Sequence, residues 1–384
     1  CFTNNEGSDY VGTAYTFMVK PIYNQLWTWG ENDNGELGIN DTTQRSSPTQ
    51  VPGTTWRSVA TSRSQSFLAT KTDGTLWTGG GNGDGQLGHN DLVERSSPTQ
   101  VPGTTWSSNI AGQNQEGGSL AVKTDGTLWV IGGSNNNGEL GQNNNVKYSS
   151  PVQIPGTTWG TTFRTLSGGL RAGYGIKTDG TLWSWGYNGY GLLGQNSPSP
   201  SHRSSPIQIP GTTWSTVHSG GFNILATKTD GTAWAWGYNG PGLLGQNNRT
   251  DYSSPVQIPG TTWSHSGGGY NHFAILKTDG TLWAIGANGQ GQLGQNNISQ
   301  RSSPVQIPGT TWAQASGSDN YTIATKTDGT LWTWGYNIPE GKLGLNNEVT
   351  YSSPIQIGTD TTWPTSNGFE LGAAQNSSRV IKTV

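Results

Sequence analysis

The sequence predicts an all-β protein, a seven-bladed β-propeller of four-stranded blades whose ring is closed by pairing of its N- and C-terminal strands. Two markers recur about every 50 residues along the 384-residue chain, a period typical of propellers and solenoids. Thr-Thr-Trp occurs seven times, and Leu-Trp occurs six times, with Ala233–Trp234 in the remaining place. Turn signals of the Asp-Gly and Pro-Gly type separate the short apolar runs. Seven repeats of four short strands match a propeller.

Each repeat contains four predicted strands in a fixed order. The first contains the Thr-Thr-Trp marker, as at Thr54–Trp56, and the second is apolar and ends in lysine, as at Phe67–Lys71. A Thr-Asp-Gly turn leads into the Leu-Trp strand, which is followed by a long loop rich in glycine and asparagine. The fourth strand begins with proline, a residue suited to a strand start or a sheet edge. A Pro-Gly turn then returns the chain to the next Thr-Thr-Trp marker.

The two ends of the chain predict ring closure rather than an open solenoid. Residues Arg379–Thr383 resemble a second strand that lacks its Leu-Trp partner, and Leu26–Gly30 supplies that partner from the other end. Pairing them removes the open sheet edges that proteins must otherwise protect. Phe17–Lys20 also resembles a second strand, so one terminal copy must lie outside the regular ring. We expect a propeller over residues 26–384 and a linker or attachment segment over residues 1–25.

Composition excludes several classes of function. No run of about 18 apolar residues is present, so no membrane span is expected. The single cysteine excludes an internal disulfide framework. A formal net charge of −3 with 11% charged residues argues against a nucleic-acid partner. With only 30% hydrophobic residues, the chain must use its 18 tryptophans as core.

Two charged or polar positions recur with the repeat. Lysine precedes Thr-Asp-Gly six times, at Lys71, Lys123, Lys177, Lys228, Lys277 and Lys326. We expect these lysines to pair with the nearby aspartates or to remain solvated. A second position, just before Ser-Ser-Pro, alternates between arginine and tyrosine. We expect its long, flat-tipped side chains to cover neighbouring tryptophan or strand surface.

The repeat resembles a known family. Leu182–Asn196 followed by Ser204–Trp214 is similar to the regulator of chromosome condensation repeat, whose hallmark is Trp-Gly-x-Asn-x-x-Gly-Gln-Leu-Gly. Variants of the hallmark stand at Gly81–Gly88 and Gly286–Gly294, and the resemblance covers residues 26–384. It implies a seven-bladed propeller but no single function, because the family includes a nucleotide exchange factor for a nuclear GTPase, an inhibitor of β-lactamases and a plant ultraviolet receptor. The near-identical polar copies look most like repeat proteins of bacteriophages and bacterial surfaces.

No pattern of catalytic, metal-binding or cofactor-binding residues stands out. The five histidines show no metal-ligand spacing, although His265 and His272 flank one predicted loop. Asn32–Glu36 faintly resembles a calcium loop, but the other repeats replace its oxygen-bearing residues, so we interpret it as a turn. The glycine-rich runs lack the Gly-Lys-Ser/Thr ending of a phosphate loop. We therefore expect a protein that is not an enzyme and has no metal and no cofactor.

The alternating strand directions separate two faces of the ring. The Asp-Gly and Pro-Gly turns share what we call the constant face, because their sequences barely change between repeats. The loops after the first and third strands share the variable face, which holds most of the differences between repeats. Tyrosine and asparagine on such loops are typical of recognition surfaces. The candidate partner-binding residues are Tyr187, Tyr190, Tyr238, Tyr270, Asn271, His272, Asn320, Tyr321 and Tyr336.

Two functions remain open at this point. The first is a non-enzymatic binding or structural module on a virion or cell surface, for attachment, host recognition or decoration. Its partner would be a protein or glycan on a host or cell surface, or neighbouring subunits of a larger assembly. The alternative is a soluble protein-binding propeller of the inhibitor or GTPase-regulator type. An aromatic or charged cluster confined to two or three adjacent blades would favour the alternative, whereas an even spread around the ring would favour the first.

Overall fold

The computed structural model describes residues 24–62, 65–112, 118–162, 164–197, 201–365 and 371–383. Twenty-eight strands in these residues form seven four-stranded antiparallel sheets. A short 3-10 turn at Gly189–Gly191 interrupts one loop. The predicted strand Phe17–Lys20 and most of the expected N-terminal segment lie outside the described residues. The first strand begins at Asn24, slightly before the predicted propeller boundary.

Six blades are built from consecutive strands, with the innermost strand first. The bounds of blade 1 are β3 Trp56–Thr61, β4 Ser66–Lys71, β5 Leu76–Gly80 and β6 Arg95–Val101. Those of blade 2 are β7 Trp106–Ala111, β8 Ser119–Lys123, β9 Leu128–Ile131 and β10 Pro151–Gln153, and those of blade 3 are β11 Leu166–Gly169, β12 Ala172–Ile176, β13 Leu182–Gly186 and β14 Arg203–Gln208.

The remaining blades follow the same plan. Blade 4 contains β15 Trp214–Ser219, β16 Asn223–Lys228, β17 Ala233–Gly237 and β18 Tyr252–Ile258, and blade 5 contains β19 Trp263–Gly268, β20 His272–Lys277, β21 Leu282–Gly286 and β22 Arg301–Gln306. Blade 6 contains β23 Trp312–Gly317, β24 Tyr321–Lys326, β25 Leu331–Gly335 and β26 Tyr351–Gln356. The closing blade combines β1 Asn24–Gly30 and β2 Arg45–Gln50 with β27 Leu371–Ala373 and β28 Ser377–Thr383.

The ring closes as the sequence predicts. Strand β28 pairs antiparallel with β1 over its whole length, from Asn24 opposite Thr383 to Gly30 opposite Ser377. The inner strand of each blade contacts the inner strand of the next, from β3 through β23 to β27 and back to β3. The all-β class, the seven blades and the closure by terminal strands are therefore confirmed.

Two inner strands depart from the predicted pattern. In blade 3, Trp159 forms only an isolated bridge with Lys177, and the strand itself starts at Leu166. In the closing blade, Trp363 precedes β27, which starts at Leu371. In both segments more residues separate the tryptophan from the second strand than in blades 1, 4, 5 and 6, and the tryptophan is still buried.

Tryptophans fill the spaces between blades, and their rings leave room only for glycine at neighbouring positions of the repeat. Trp185 has no exposed surface, and its Nε1 donates to the carbonyl of Glu139 in the preceding blade at 3.0 Å. Its ring lies against Gly141, which has a φ of +66°, and a Cβ there would come within 3.1 Å of the ring. A side chain at Gly141 would therefore meet both backbone strain and the indole.

The expectation of lysine–aspartate pairing is wrong for the six recurrent lysines. Lys71 Nζ lies 4.7 Å and 4.0 Å from the ring centroids of Trp56 and Trp77, and the other five lysines sit between equivalent tryptophans. Asp73 instead accepts hydrogen bonds from the backbone N–H and the hydroxyl of Thr75. These bonds lower the pKa of Asp73. The lysine stacks because the hairpin directs its ammonium across the sheet onto two indole faces.

The position before Ser-Ser-Pro has two roles. Arg45 and Arg95 form ion pairs of 2.7 Å with the aspartate four residues earlier, rather than covering tryptophan. The tyrosines at the same position pack against the blade core as predicted. The hydroxyl of Tyr252 also accepts a hydrogen bond from Asn248, again four residues earlier. Arg45 and Arg95 with aspartate, and the three tyrosines with asparagine, are thus two ways of closing the same loop.

Candidate functional site

A buried asparagine organises each long loop of the variable face. In blade 4, Asn239 Oδ1 accepts from the backbone N–H of Leu244 at 2.9 Å, and its Nδ2 donates to the carbonyls of Asn248 and Thr250. The equivalent residues make the same kind of bonds in every blade: Asn32, Asn82, Asn135, Asn188, Asn288 and Asn337. Since the preceding residue is Tyr187, Tyr238 or Tyr336 in three blades, this asparagine also holds those tyrosines in place.

The two sets of loops are tied together at the variable face. The backbone N–H of Tyr238 donates to the carbonyl of Phe222 at 2.7 Å, and that of Tyr187 donates to Arg171 at 2.8 Å. Each bond joins the residue after a third strand to the loop after the first strand of the same blade. Aromatic residues from separate loops are therefore brought side by side.

Four aromatic side chains form a continuous cluster, which we call the aromatic ridge: Tyr190, Phe222, Tyr238 and Tyr270. Ring centroids are 5.2 Å apart for Tyr190 and Phe222, 5.1 Å for Tyr190 and Tyr238, and 5.6 Å for Phe222 and Tyr270. Tyr190 is 44% exposed, and the other three are half-buried. The ridge belongs to blades 3, 4 and 5, so it is confined to three adjacent blades.

Glycines give the ridge its close packing. A Cβ at Gly240 would lie 2.0 Å from the Tyr238 hydroxyl, and one at Gly221 would lie 2.3 Å from the Tyr270 ring. Beside the ridge, Tyr187 stacks on His202 with centroids 5.0 Å apart, and the backbone N–H of Asn188 donates to His202 Nδ1 at 3.1 Å. The tyrosines thus rest on main chain and are held in defined orientations.

A central channel opens beside the ridge. Its cavity of about 150 Å³ is lined by inner strands and by the loop residues Tyr270 and Asp319. Arg164, from the extra segment of blade 3, reaches across it and donates to the carbonyls of Ser266 and Ala315. Desolvation lowers the pKa of this guanidinium to about 9.

Three histidines lie in or beside the inner strands around this channel. Burial lowers the pKa of His218 to about 4 and that of His272 to about 3, and it lowers that of His265 well below its usual value. His218 Nε2 accepts from the backbone N–H of Gly268 at 2.9 Å, and His272 Nε2 lies 2.8 Å from the Thr322 hydroxyl. Within the described ranges, no three His, Cys, Asp or Glu side chains are arranged to hold a metal ion.

The structure separates the nine candidate residues into three groups. Tyr190, Tyr238 and Tyr270 belong to the ridge, and Tyr187 lies next to it. Asn271, Asn320 and Tyr336 are half-buried elsewhere on the variable face, with the Tyr336 ring 4.9 Å from Lys342 Nζ. His272 and Tyr321 must be corrected, because both are fully buried and cannot present side chains to a partner. Each begins a second strand and packs against the next blade, where His272 bonds to Thr322 and Tyr321 bonds to Ser378.

Phe222 is the ridge residue absent from the sequence-based candidates. It contacts all three ridge tyrosines, with a centroid 6.5 Å from that of Tyr238. Its loop position is equivalent to that of Asn271. Its aromatic side chain at that position could have identified it as a candidate from the sequence. The selection of tyrosine and asparagine as recognition residues passed over it.

Solved structures share the fold. Prp20p of Saccharomyces cerevisiae, with binding properties toward Gsp1p and histones, is 17% identical, with a TM-score of 0.80 over 95% of this chain and 92% of that one. Yeast RCC1 (Prp20) bound to Kap60 gives a TM-score of 0.81 at 17% identity, over 100% of this chain and 96% of that one. Human WBSCR16 gives a TM-score of 0.80 at 18% identity, over 94% of this chain and 98% of that one.

A curated relative overturns the expected location. The mitochondrial RCC1 domain-containing protein RUG3 of Arabidopsis thaliana is 29% identical over 122 residues, which cover 31% of this chain and 26% of RUG3. The match therefore spans about a quarter of that relative's length. The expectation of an extracellular or virion-surface protein is wrong, because the similar proteins are a mitochondrial plant protein and proteins of yeast and human. Among the described residues, none of the helices is long and apolar enough to cross a bilayer.

The family itself is settled by a match over nearly the whole propeller. The model of the RCC1-like domain matches residues 25–376, which agrees with the resemblance in the hallmark Trp-Gly-x-Asn run. That span covers all seven third strands and every buried loop asparagine. The protein belongs to the RCC1-like domain family.

Proposed function

We propose that this protein is a protein-binding propeller of the regulator type, which grips one partner protein with the aromatic ridge. The observation that carries the proposal is the confinement of four contacting aromatic rings to three adjacent blades. A ring-shaped decoration module would expose similar groups around its whole circumference. A localised cluster instead favours a single, off-centre contact.

The ridge has the character of an interface anchor. Tyrosine and phenylalanine provide a large apolar contact area at low entropic cost, and residues of this kind dominate the binding energy at interfaces. Tyr190 is the most exposed ridge member, and its ring is supported by Phe222 and Tyr238. A preorganised cluster loses little freedom on binding.

The similar proteins support a protein partner. Prp20p has binding properties toward Gsp1p and histones, and it has been crystallised with Kap60. The family resemblance adds regulation of a GTPase as the first partner class to test. The site gives no support to an enzymatic role, since His218 and Arg164 of the channel lining are desolvated and bonded to main chain.

Site-specific photo-crosslinking in cells of the source organism tests the proposal. A photoreactive phenylalanine analogue at Tyr190 should capture a partner protein. Matched controls carry the analogue at Leu92, which is 62% exposed on blade 1, and at Thr261 on the constant face. Capture at Tyr190 alone supports the ridge as the contact, and recovery of a GTP-binding protein supports the regulator class. Equal capture at all three positions, or none at Tyr190, contradicts the proposal.

A further inference from the structure

We propose that a cleft between the closing blade and blade 1 binds a small organic acid, whose carboxylate accepts hydrogen bonds from the ammonium of Lys71. This cleft, which we call the outer cleft, has a volume of about 330 Å³, and its walls include Pro52, Trp77 and Pro98. Cavities of this volume are typical of small-molecule sites. The outer cleft lies apart from the aromatic ridge of blades 3, 4 and 5, so the inference goes beyond the function proposed above.

Lys71 places a positive charge in the outer cleft. Its Nζ lies 4.7 Å from the ring centroid of Trp56 and 4.0 Å from that of Trp77, and the side chain is half-buried. An ammonium has three N–H donors, and among the described residues none accepts a hydrogen bond from this one. Asp73, the nearest carboxylate along the sequence, is bonded to Thr75 instead. The ammonium is therefore available to a ligand that supplies oxygen acceptors.

The Pro-Gly turn leaves the lysine uncovered. Gly53 is exposed, and a Cβ at this position would lie 3.8 Å from both Lys71 Nζ and Trp56 Nε1. Its φ of +99° favours glycine, so the turn puts no side chain over the ammonium. The indole N–H of Trp56 is buried beside the turn and has no acceptor among the described residues. The positive edge of the indole therefore adds to the attraction that Lys71 exerts on an anion.

The closing blade shows a carboxylate of the chain itself at the corresponding lysine. Lys382 lies 5.6 Å and 5.5 Å from the ring centroids of Trp27 and Trp363, and its ammonium pairs with Asp360. Asp360 belongs to Gly358–Asp360, which stands where the other repeats have Pro-Gly. The indole N–H of Trp363 has no acceptor in the described chain, so this carboxylate uses the lysine alone. A lysine between two tryptophans thus accommodates a carboxylate wherever one is supplied.

The remaining wall of the outer cleft selects an acid with an apolar body. Pro52 is exposed, while Pro98 and Trp77 are half-buried. The Nε1 of Trp77 already donates to Thr75 Oγ1 at 2.8 Å, so its ring presents carbon surface to the cleft. A short aliphatic or aromatic body would pack between the prolines and this ring, with its carboxylate at Lys71. One ammonium matches one carboxylate better than it matches a doubly charged phosphate group.

Blades 2 to 6 repeat the same group of residues. Each has the lysine between two tryptophans, and each has the Pro-Gly turn in place of the aspartate of the closing blade. The contact inferred for Lys71 therefore has five further equivalents around the ring. The outer cleft is the one in which a cavity of known volume adjoins the lysine.

An NMR titration of the full chain with phenylacetate tests the inference. The signal to follow is the indole N–H of Trp77, which lines the outer cleft. We expect a saturable shift of this signal. Neutral phenylacetamide, and chloride at the same ionic strength, should bind at least 10-fold more weakly, because a hydrogen bond to a charged carboxylate is the stronger contact. Lys71→Met keeps the side-chain stem and removes the donors, so it should weaken phenylacetate binding at this site by about 10-fold.

A second variant keeps Lys71 and occupies it from within the chain. In this variant Pro52 and Gly53 are replaced by Gly-Thr-Asp, the sequence of Gly358–Asp360, and phenylacetate should again bind about 10-fold more weakly. The matched control is Lys147→Met, which removes the same charge from the variable face and should bind as the wild type does. Equal binding of the acid and the amide, unchanged affinity in either cleft variant, or no saturable shift of Trp77 overturns the inference.

Discussion

Phe67 on β4 and Gly79 on β5 lie directly opposite each other, and the phenylalanine fills the volume that a tryptophan fills in blade 3. A Cβ at Gly79 would come within 2.6 Å of the Phe67 ring. Blade 3 has the reverse arrangement, with Gly173 opposite Trp185 and a Cβ at Gly173 within 2.3 Å of the indole. In these two blades, therefore, one large ring fills the space of the pair and glycine stands at the opposite position.

This relationship predicts a reciprocal rescue. Gly79→Trp alone should destabilise the propeller, by about 1–3 kcal/mol or more, because two large rings would compete for one space. Phe67→Gly alone should cost about 3–5 kcal/mol through the cavity it leaves. The double variant recreates the pair of blade 3 and should recover much of the loss, as measured by urea denaturation of all four proteins. Additive losses in the double variant would show that the two residues do not share a volume.

The loop asparagine gives a second prediction. Asn239→Ala should lower the free energy of unfolding by about 2–4 kcal/mol, because it leaves the Leu244 N–H and two carbonyls without their buried partner. Asn239→Asp is the matched variant, since it keeps the acceptor for Leu244 but loses the donor. An intermediate loss is expected for it in denaturant titrations. A loss below about 0.5 kcal/mol for the alanine variant would mean that the loop closes without this residue.

The architecture could be predicted from the sequence because it depends on local, repeated signals. Turn residues, the period of the tryptophans and the lysine-ended C-terminal strand each specify a strand or a hairpin without reference to distant residues. The β1–β28 pairing followed from counting which strand each terminus lacked. The late start of the inner strand after Trp159, at Leu166, was harder to predict, because extra residues can extend either a strand or a loop.

The candidate site was only partly predictable, since exposure depends on how loops from different blades meet. Tyr321 and Tyr270 look alike in sequence, but Tyr321 is fully buried against the closing blade and Tyr270 is only half-buried. Tyr321 begins the second strand of its blade, as His272 does in blade 5, whereas Tyr270 lies two residues before that position, in the loop. The stacking of Lys277 on tryptophan was also not predicted. Asp279 is closer to Lys277 along the sequence than either tryptophan is, so an ion pair was expected.

Acid stability gives a third prediction. The pKa of His272 is lowered to about 3 by burial, with a smaller effect from His218, whereas an unfolded histidine titrates near 6.5. Above pH 6.5 the ring is neutral in both states and has no effect. Below it the unfolded chain takes up a proton that the folded chain refuses, so stability falls by about 1.4 kcal/mol per pH unit until the pH nears 3.

Urea denaturation between pH 8 and pH 4 measures this loss. His272→Gln should show a shallower decline in acid, and its difference from the wild type at pH 8 isolates the effect of packing and of the bond to Thr322. Parallel declines for the two proteins would assign the acid sensitivity to other groups, with His218 and His265 the next to be replaced.

The lysine–tryptophan stacks give the last prediction, which separates cation–π contacts from ion pairs. Lys277 Nζ lies 4.6 Å from the centroids of both Trp263 and Trp283, while the Asp279 carboxylate is occupied by Thr281. Lys277→Met keeps the stem and removes the charge, so it should cost about 0.5–1 kcal/mol.

Salt dependence distinguishes the two kinds of contact, with Lys382 as the matched control. Lys382 lies near Trp27 and Trp363 like the other lysines, but it also pairs with Asp360. The cost of Lys382→Met should shrink between low salt and about 1 M salt, where the Debye length is about 3 Å. The cost of Lys277→Met should change little, because its partners are uncharged rings. If both costs fall equally in denaturation at the two salt concentrations, Lys277 is held by charge rather than by the indoles.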